Sequence, residues 1–461
     1  MLLHGGRFQP ISDDMTKISP EDALGLLIED AMKAGADAAD AMMYESVSNA
    51  VSVRLGEVED VERSESRDLG LRVIYGKRQA SVSTTDFTPQ SLQETAERCV
   101  SMAKAAPEDP YCGLAPEDRL AKAPFADLDL FDGVEPSTEQ LKERALACEE
   151  AARAVDGVTN SGGADAGFGS GTSWFATSHG FFGASAGGSH SVSVSVLAGE
   201  GLGMERDYDY DSATHLDSLR DAGSVGTKAG ERAVKRLNPQ RLSSRQAPVI
   251  FEQRLAKSLV GKLAAAINGA SIARGVSFLK TRMGQQIFPE TITIIDDPLI
   301  KRGFGSSHFD GEGVVNERLT VIDKGVLTTW MLNSSQARQL GLQTNGRATR
   351  GTGGPPGSGS TNMWMEPGTM SVDALIRDTG EGLYLTDMFG PQVNSNTGDY
   401  SVGCSGFWIE KGEIAFPVSE ITIAGNLLEM FATLTPASDL EFKGAKNAPT
   451  LRIERMTIAG N

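Results

Sequence analysis

The sequence predicts an α+β protein of two domains: an N-terminal mixed α/β domain and a C-terminal domain dominated by antiparallel β-sheet, barrel-like around one main helix. Three observations predict it. Up to about residue 238, stretches of helical periodicity alternate with stretches of period two. At 239–248 the segment PQRLSSRQAP is polar and bounded by prolines, which suits a linker. Beyond it nearly everything reads as strand and turn, except a helical pattern at 254–267. Residues 1–18 are expected to be an extension, 19–238 the first domain and 248–461 the second; Met15 offers an alternative start.

Along the first domain, Ser19-Pro20-Glu21-Asp22 reads as a helix start: a hydroxyl cap, proline in the first turn, then acids near the positive end of the dipole. Strands follow in ADAMMYESV, AVSVRLGEVEDV, LGLRVIYG and QASVSTT, the last three as an antiparallel meander. A second helix starts near Thr88-Pro89 and stops before Pro107. After a loop-rich stretch at 107–135, a third starts at Ser137, with Gln140 completing a capping box. Residues 157–205 alternate Val or Phe with Gly and Ser and read as strands, with Ser178-His179-Gly180 in a hairpin turn. A helical segment at 213–237 closes the domain.

In the second domain PVIFEQRLAKSLVGKLAAAI runs from a short apolar strand into the main helix. Leu255, Leu259, Leu263 and Ile267 recur every four residues and share one face, with Lys257 and Lys262 off it, toward water. A short helix is expected near 335–341, and Lys324-Gly325 and Lys411-Gly412 sit at hairpin tips.

Composition excludes several functions. Net charge is −18, with no basic cluster, which argues against binding nucleic acid. No apolar run approaches the roughly 18–20 residues of a membrane span, and no secretory signal is visible. The four cysteines, Cys99, Cys112, Cys148 and Cys404, are scattered, which suits a reduced, cytoplasmic setting. GFGSGT at 167–172 lacks the third glycine of a dinucleotide loop, and GTGGPPGSGS at 351–360 lacks the lysine of a phosphate loop; both read as flexible loops.

The metal candidates are weak. None of His4, His179, His190, His215 and His308 is followed by Glu, and no two are three or four apart, so no helical zinc pair exists. Glu205, Asp207, Asp209 and Asp211 alternate with Arg206, Tyr208 and Tyr210, which puts four carboxylates on one strand face. They form either a solvated acidic edge or, with His179 or His190, a site for a cation. His308 and Asp310 would share a strand face and could do acid–base work; Cys404 reads as core.

From 248 onward come specific phrases: FDGEGV at 309–314, VIDKGVLTTW at 321–330, TNGRAT at 344–349, TNMWMEPG at 361–368, and NTGDYSVGCSGFWIEKGEIAFPVSEITIAGNLLEMF at 396–431. Their order and spacing resemble the TldD/PmbA family, also labelled modulators of DNA gyrase, and the last stretch resembles its PmbA (TldE) branch. The resemblance implies a zinc metallopeptidase of two related chains enclosing a cavity where unfolded peptides are cut, with roles in maturing peptide antibiotics and removing labile antitoxins. In the TldD-type chain a helical H-E-x-x-x-H pair and a late cysteine hold zinc. Here no histidine lies between His215 and His308, and Gly444 leads almost directly to the final strand, where the TldD-type chain has its cysteine loop.

The resemblance therefore implies a chain without catalytic residues and without its own cofactor, paired with a zinc-bearing TldD-type partner, or with itself when that partner is missing. Asn345, Arg347, Thr361 and Asn362 lie in the most motif-like loops and are the candidates for peptide or partner contacts, against plain turn chemistry. Strands of the second domain could hold an extended peptide by edge pairing. The alternatives are a stand-alone metallopeptidase using His179, His190, Asp207 or Asp209, and a non-hydrolytic modulator of a gyrase or an antitoxin.

Overall fold

The computed structural model describes residues 18–460. The expected extension lies outside them but for its last residue. The first domain runs α1 (Pro20–Lys33), β1 (Ala38–Arg54), β2 (Glu57–Tyr75), β3 (Arg78–Thr84), α2 (Pro89–Ala105), α3 (Thr138–Arg153), β4 (Val158–Thr177), β5 (Phe182–Ala198), β6 (Glu205–Ala213) and α4 (Ala222–Lys235). Ser19 accepts from the Asp22 N–H, and Ser137 and Gln140 make both bonds of the capping box.

The strands form one antiparallel sheet in the order β3-β2-β1-β4-β5-β6. One part of the sheet packs with α1 and α2 around Leu24, Leu27, Leu69, Leu71 and Leu92. Another packs with α3 and α4 around Leu141, Val192, Val194 and Val225. The meander differs from expectation at one point. AVSVRLGEVEDV is a hairpin in itself, because Leu55 and Gly56 both take positive φ, 54° and 85°. That is the geometry of a two-residue turn between right-twisted strands. β3 pairs only with Leu69–Tyr75, so Glu57–Asp68 of β2 has no β3 partner on its outer side.

The second domain runs β7 (Arg245–Phe251), α5 (Gln253–Ala266), α6 (Gly269–Ala273), β8 (Ile294–Asp296), β9 (Leu319–Asp323), β10 (Val326–Leu327), α7 (Ser334–Leu340), β11 (Ala348–Thr349), β12 (Gly357–Ser358), β13 (Met363–Met365), α8 (Val372–Thr379), β14 (Gly382–Val393), β15 (Asp399–Glu410), β16 (Glu413–Asn426), α9 (Leu427–Ala432), β17 (Leu434–Pro436), β18 (Lys446–Asn447) and β19 (Leu451–Ala459). β16, β15, β14, β7 and β19 are hydrogen-bonded in that order, and β16 pairs back onto β19 through Thr422–Ala459 and Ile423–Ile458, closing a barrel. A closed barrel leaves those five strands no free edge for a peptide strand. A second sheet, β10-β9-β8-β13-β18, lies beside it. α5 packs between β14 of the barrel and β13 and β18, burying Leu255, Leu259, Leu263 and Ile267.

Three expectations need correction, the first being that residues 167–172, read as a flexible loop, lie inside β4 and pair with β1 and β5. The end of the polar linker is already strand, since β7 begins at Arg245. The 351–360 loop is docked rather than loose: a Cβ added to Gly70 of β2 would lie 2.1 Å from the Thr352 carbonyl oxygen. Lys324-Gly325 and Lys411-Gly412 do sit at tips with positive φ.

Candidate functional site

β7 and α5 meet the first domain at its β6 edge. Val249, Ile250 and Phe251 fix the strand, buried between β14 and β19. The chain then turns at Glu252 into α5, which starts without a side-chain cap and with no acid in its first turn. The apolar face of α5 looks into the core; Arg254 and Lys257 look across to β6.

The alternating acids of β6 have a role neither sequence reading foresaw. Asp207, Asp209 and Asp211 are 2%, 4% and 6% exposed, so this is not a solvated edge. Arginines from both domains converge on them. Arg254 Nη1 lies 3.1 Å from Asp207 and donates to the Tyr208 carbonyl at 2.7 Å, while its Nη2 reaches Glu252 at 2.9 Å. Arg236 Nη1 bridges Asp207 at 3.3 Å and Asp387 at 3.2 Å, and Nη2 bonds the Ser405 hydroxyl. Arg232 joins Asp209 at 2.7 Å to Glu252 at 2.9 Å, and Arg220 adds a bond to Asp209 at 2.6 Å. Planar guanidinium forks satisfy several carboxylate lone pairs at once, which is how such acids survive burial. Burial works against the Arg254 cation, but Glu252 and Asp207 outweigh it and hold the guanidinium above the usual arginine range. On the other strand face Tyr208 and Tyr210 stack at 6.2 Å, and Arg254 and Lys257 sit over their rings at 4.7 and 4.9 Å.

This junction frames a cleft of about 390 Å³ lined by β6, α4, the start of α5 and the loop before β18. The sequence held a signal for it: Arg232 and Arg236 are four apart, on one side of α4, and face acids two apart on β6.

The proposed cation set does not assemble. His179 sits in its turn, 3.8 Å from Glu117. His190 is fully buried mid-sheet, 3.1 Å from Asp132, and burial pushes its pKa down against that partner. His215 pairs with Asp129 at 3.1 Å. Asp207 and Asp209 are held by arginines. Among the described residues no three His, Cys, Asp or Glu side chains form a group that could hold a metal. A zinc ion does not fit α5 either: its inward face is aliphatic and its outward face cationic.

His308 and Asp310 do not act as strand neighbours. His308 stacks on Phe125 at 5.0 Å, while Asp310 lies beside Glu312, itself 2% exposed. Burial first, and Glu312 second, push the Asp310 carboxyl up to about 7 against three backbone N–H bonds. Cys404 is core, its thiol pushed up to about 12 by burial.

Arg347, Thr361 and Asn362 gather at the end of β8, while Asn345 bonds to residues 329–332. Arg347 and Asp296 are both fully buried, with Nε 2.5 Å from the carboxylate. Thr361 donates to that carboxylate from its N–H at 2.8 Å and its hydroxyl at 2.9 Å. Asn362 donates to the Asp297 carbonyl and the Ser306 hydroxyl and accepts from the Gly305 N–H. Asn345 donates to the Trp330 carbonyl and accepts from the Leu332 N–H. The two stretches thus meet on Asp296 through Arg347 and Thr361, and all four side chains are already hydrogen-bonded within the protein.

Family models for PmbA/TldA metallopeptidase domain 1, central domain and C-terminal domain match residues 39–103, 131–237 and 244–460. Metalloprotease PmbA of Escherichia coli O157:H7 is 36% identical over 457 residues, covering 97% of this chain and 99% of that protein. A PmbA homolog of Haemophilus influenzae is 36% identical over 443 residues, 95% of this chain and 96% of the homolog. A solved structure from Bacteroides thetaiotaomicron, described as a modulator of DNA gyrase, superposes with a TM-score of 0.88 at 26% identity, covering 96% of this chain and all of that one (100%). TldE of Thermococcus kodakarensis shares the fold, with a TM-score of 0.84 at 23% identity over 95% of this chain and 100% of that one. Matches to all three domains in order, and identity to PmbA along nearly the whole length, place the chain in the PmbA/TldD metallopeptidase family.

Proposed function

We propose that this chain is the non-catalytic, PmbA/TldE-type subunit of a heterodimeric peptidase whose TldD-type partner carries the zinc. In this reading the two chains together enclose unfolded peptides in the cytoplasm, among them peptide-antibiotic precursors and labile antitoxins. The observation that carries it is α5. The helix is intact and packed, yet it presents Leu255, Leu259 and Leu263 inward and Arg254 and Lys257 outward, so it shapes a cleft without offering a metal ligand.

The test is zinc content and cleavage of a casein-like unfolded substrate, for the lone chain and for the chain co-purified with a TldD-type partner. A zinc-free, inactive lone chain and a pair holding one zinc and cleaving support the reading. Stoichiometric zinc and hydrolysis in the lone chain would overturn it. A stable complex with a gyrase or an antitoxin, formed without any TldD-type chain, would favour a binding modulator.

A further inference from the structure

The interdomain cleft carries a charge imbalance. Around it Arg220, Arg232 and Arg254 meet Asp207, Asp209 and Glu252 in the network described above, and Lys443 meets Glu441 at 3.1 Å. Lys228 of α4 and Lys257 of α5 line the same cleft, and among the described residues neither has a carboxylate at ion-pair distance. Among the described residues Lys257 engages Tyr210, through its hydroxyl and its ring. The cleft is thus left with surplus positive charge in a chain of net charge −18. A low-dielectric recess focuses such a field and draws anions in from solvent. The uncapped N-terminus of the 14-residue α5 opens at the same place and adds oriented backbone N–H groups. The Tyr210 ring and Ala448 give the recess an apolar wall beside its charges. That combination suits a carboxylate with a side chain behind it better than a bare phosphate.

We propose that this cleft captures a peptide by its C-terminal carboxylate, with Lys228 and Lys257 supplying the charge and the start of α5 the backbone donors. The proposal deepens the peptidase reading by naming what the chain grips, and its test needs neither the partner chain nor hydrolysis.

The experiment uses the full chain alone and fluorescence anisotropy of an N-terminally coumarin-labelled apolar tetrapeptide. The peptide is made as the free acid, as the C-terminal amide, and as an amide with one internal aspartate; inorganic phosphate serves as competitor. The free acid should bind on the order of tenfold more tightly than the plain amide, since a charge-assisted contact is worth about one decade. The double variant Lys228→Gln/Lys257→Gln should lose that preference while its thermal melt stays that of the wild type. Lys228→Gln alone, at an exposed position, gives the same comparison should the double variant fail to fold. Equal binding of acid and amide, or an undiminished preference in a folded variant, overturns the proposal. Tight binding of phosphate with none of the free acid also overturns it. If the internal-aspartate amide binds as tightly as the acid, the site takes side-chain carboxylates and the assignment to peptide ends falls.

Discussion

Asp296 shows how far a motif residue can be from a contact residue. TNGRAT and TNMWMEPG stand out in the sequence, and their Arg347 and Thr361 both spend their side chains on this one buried carboxylate. Breaking one partner of a buried pair leaves a bare charge. Arg347→Met should therefore cost about 3–5 kcal/mol in urea denaturation; a cost well under 1 kcal/mol would show that the pair is not structural. Asp310 gives a prediction in pH. Its folded pKa, raised to about 7, exceeds the ordinary carboxylate value of 3.8, so the folded state holds a proton that the unfolded state has already released. Its contribution to stability is present in full below the ordinary value and is lost as pH rises through about 7. Wild type should lose stability relative to Asp310→Asn between pH 5 and 8, measured by urea midpoints; parallel curves would refute this. None of this was legible in FDGEGV, because a pattern of letters shows spacing along the chain and not which acid lies beside which.

Among the elements, those with many turns or strong caps were readable: α1, α2, α3 and the apolar face of α5 all follow from periodicity and capping. α8 and α9 span 8 and 6 residues, too few turns for a 3.6-residue period to declare itself. β6 was visible as a strand, but whether its acids faced water or arginines depended on α4 and α5 arriving from either side. α5 should tolerate little: Leu259→Ala empties a site 1% exposed and should cost about 2–5 kcal/mol in the same assay. At the β1–β2 turn the change has the opposite sign. Leu55 holds φ 54°, which a side chain with a bulky Cγ dislikes. Leu55→Asn should stabilise the protein by about 1 kcal/mol at most. A clear drop in midpoint would mean that the leucine makes a contact worth more than its strain.

At the scale of the molecule, the polar segment at 239–248 marked the boundary between two domains, and buried charges lock them across it. Arg350 of the second domain bonds Asp40 of the first at 2.7 Å, beside Arg72, and all three side chains are 2% exposed or less. Arg236–Asp387 and Arg254–Asp207 form a second lock. Scanning calorimetry should give a single cooperative transition, and Arg350→Met should lower it or split it in two. An unchanged single transition in that variant would place the coupling elsewhere. Arg350–Asp40 and Arg236–Asp387 join residues 310 and 151 positions apart, so no local pattern announces them.

The outer stretch of β2 has a further consequence. Glu57–Asp68 presents a run of backbone groups with no β3 partner, the kind of edge on which sheets grow from one molecule to the next. Glu57, Glu59, Asp60, Glu62 and Glu65 crowd that stretch with negative charge, while Val58 and Val61 stand exposed between them. At neutral pH two such ribbons repel. Added salt screens that repulsion, and the valines are left as a template for self-association. Colloidal stability, read by light scattering as ionic strength rises, should therefore fail before the fold does, and Val61→Lys should postpone that failure.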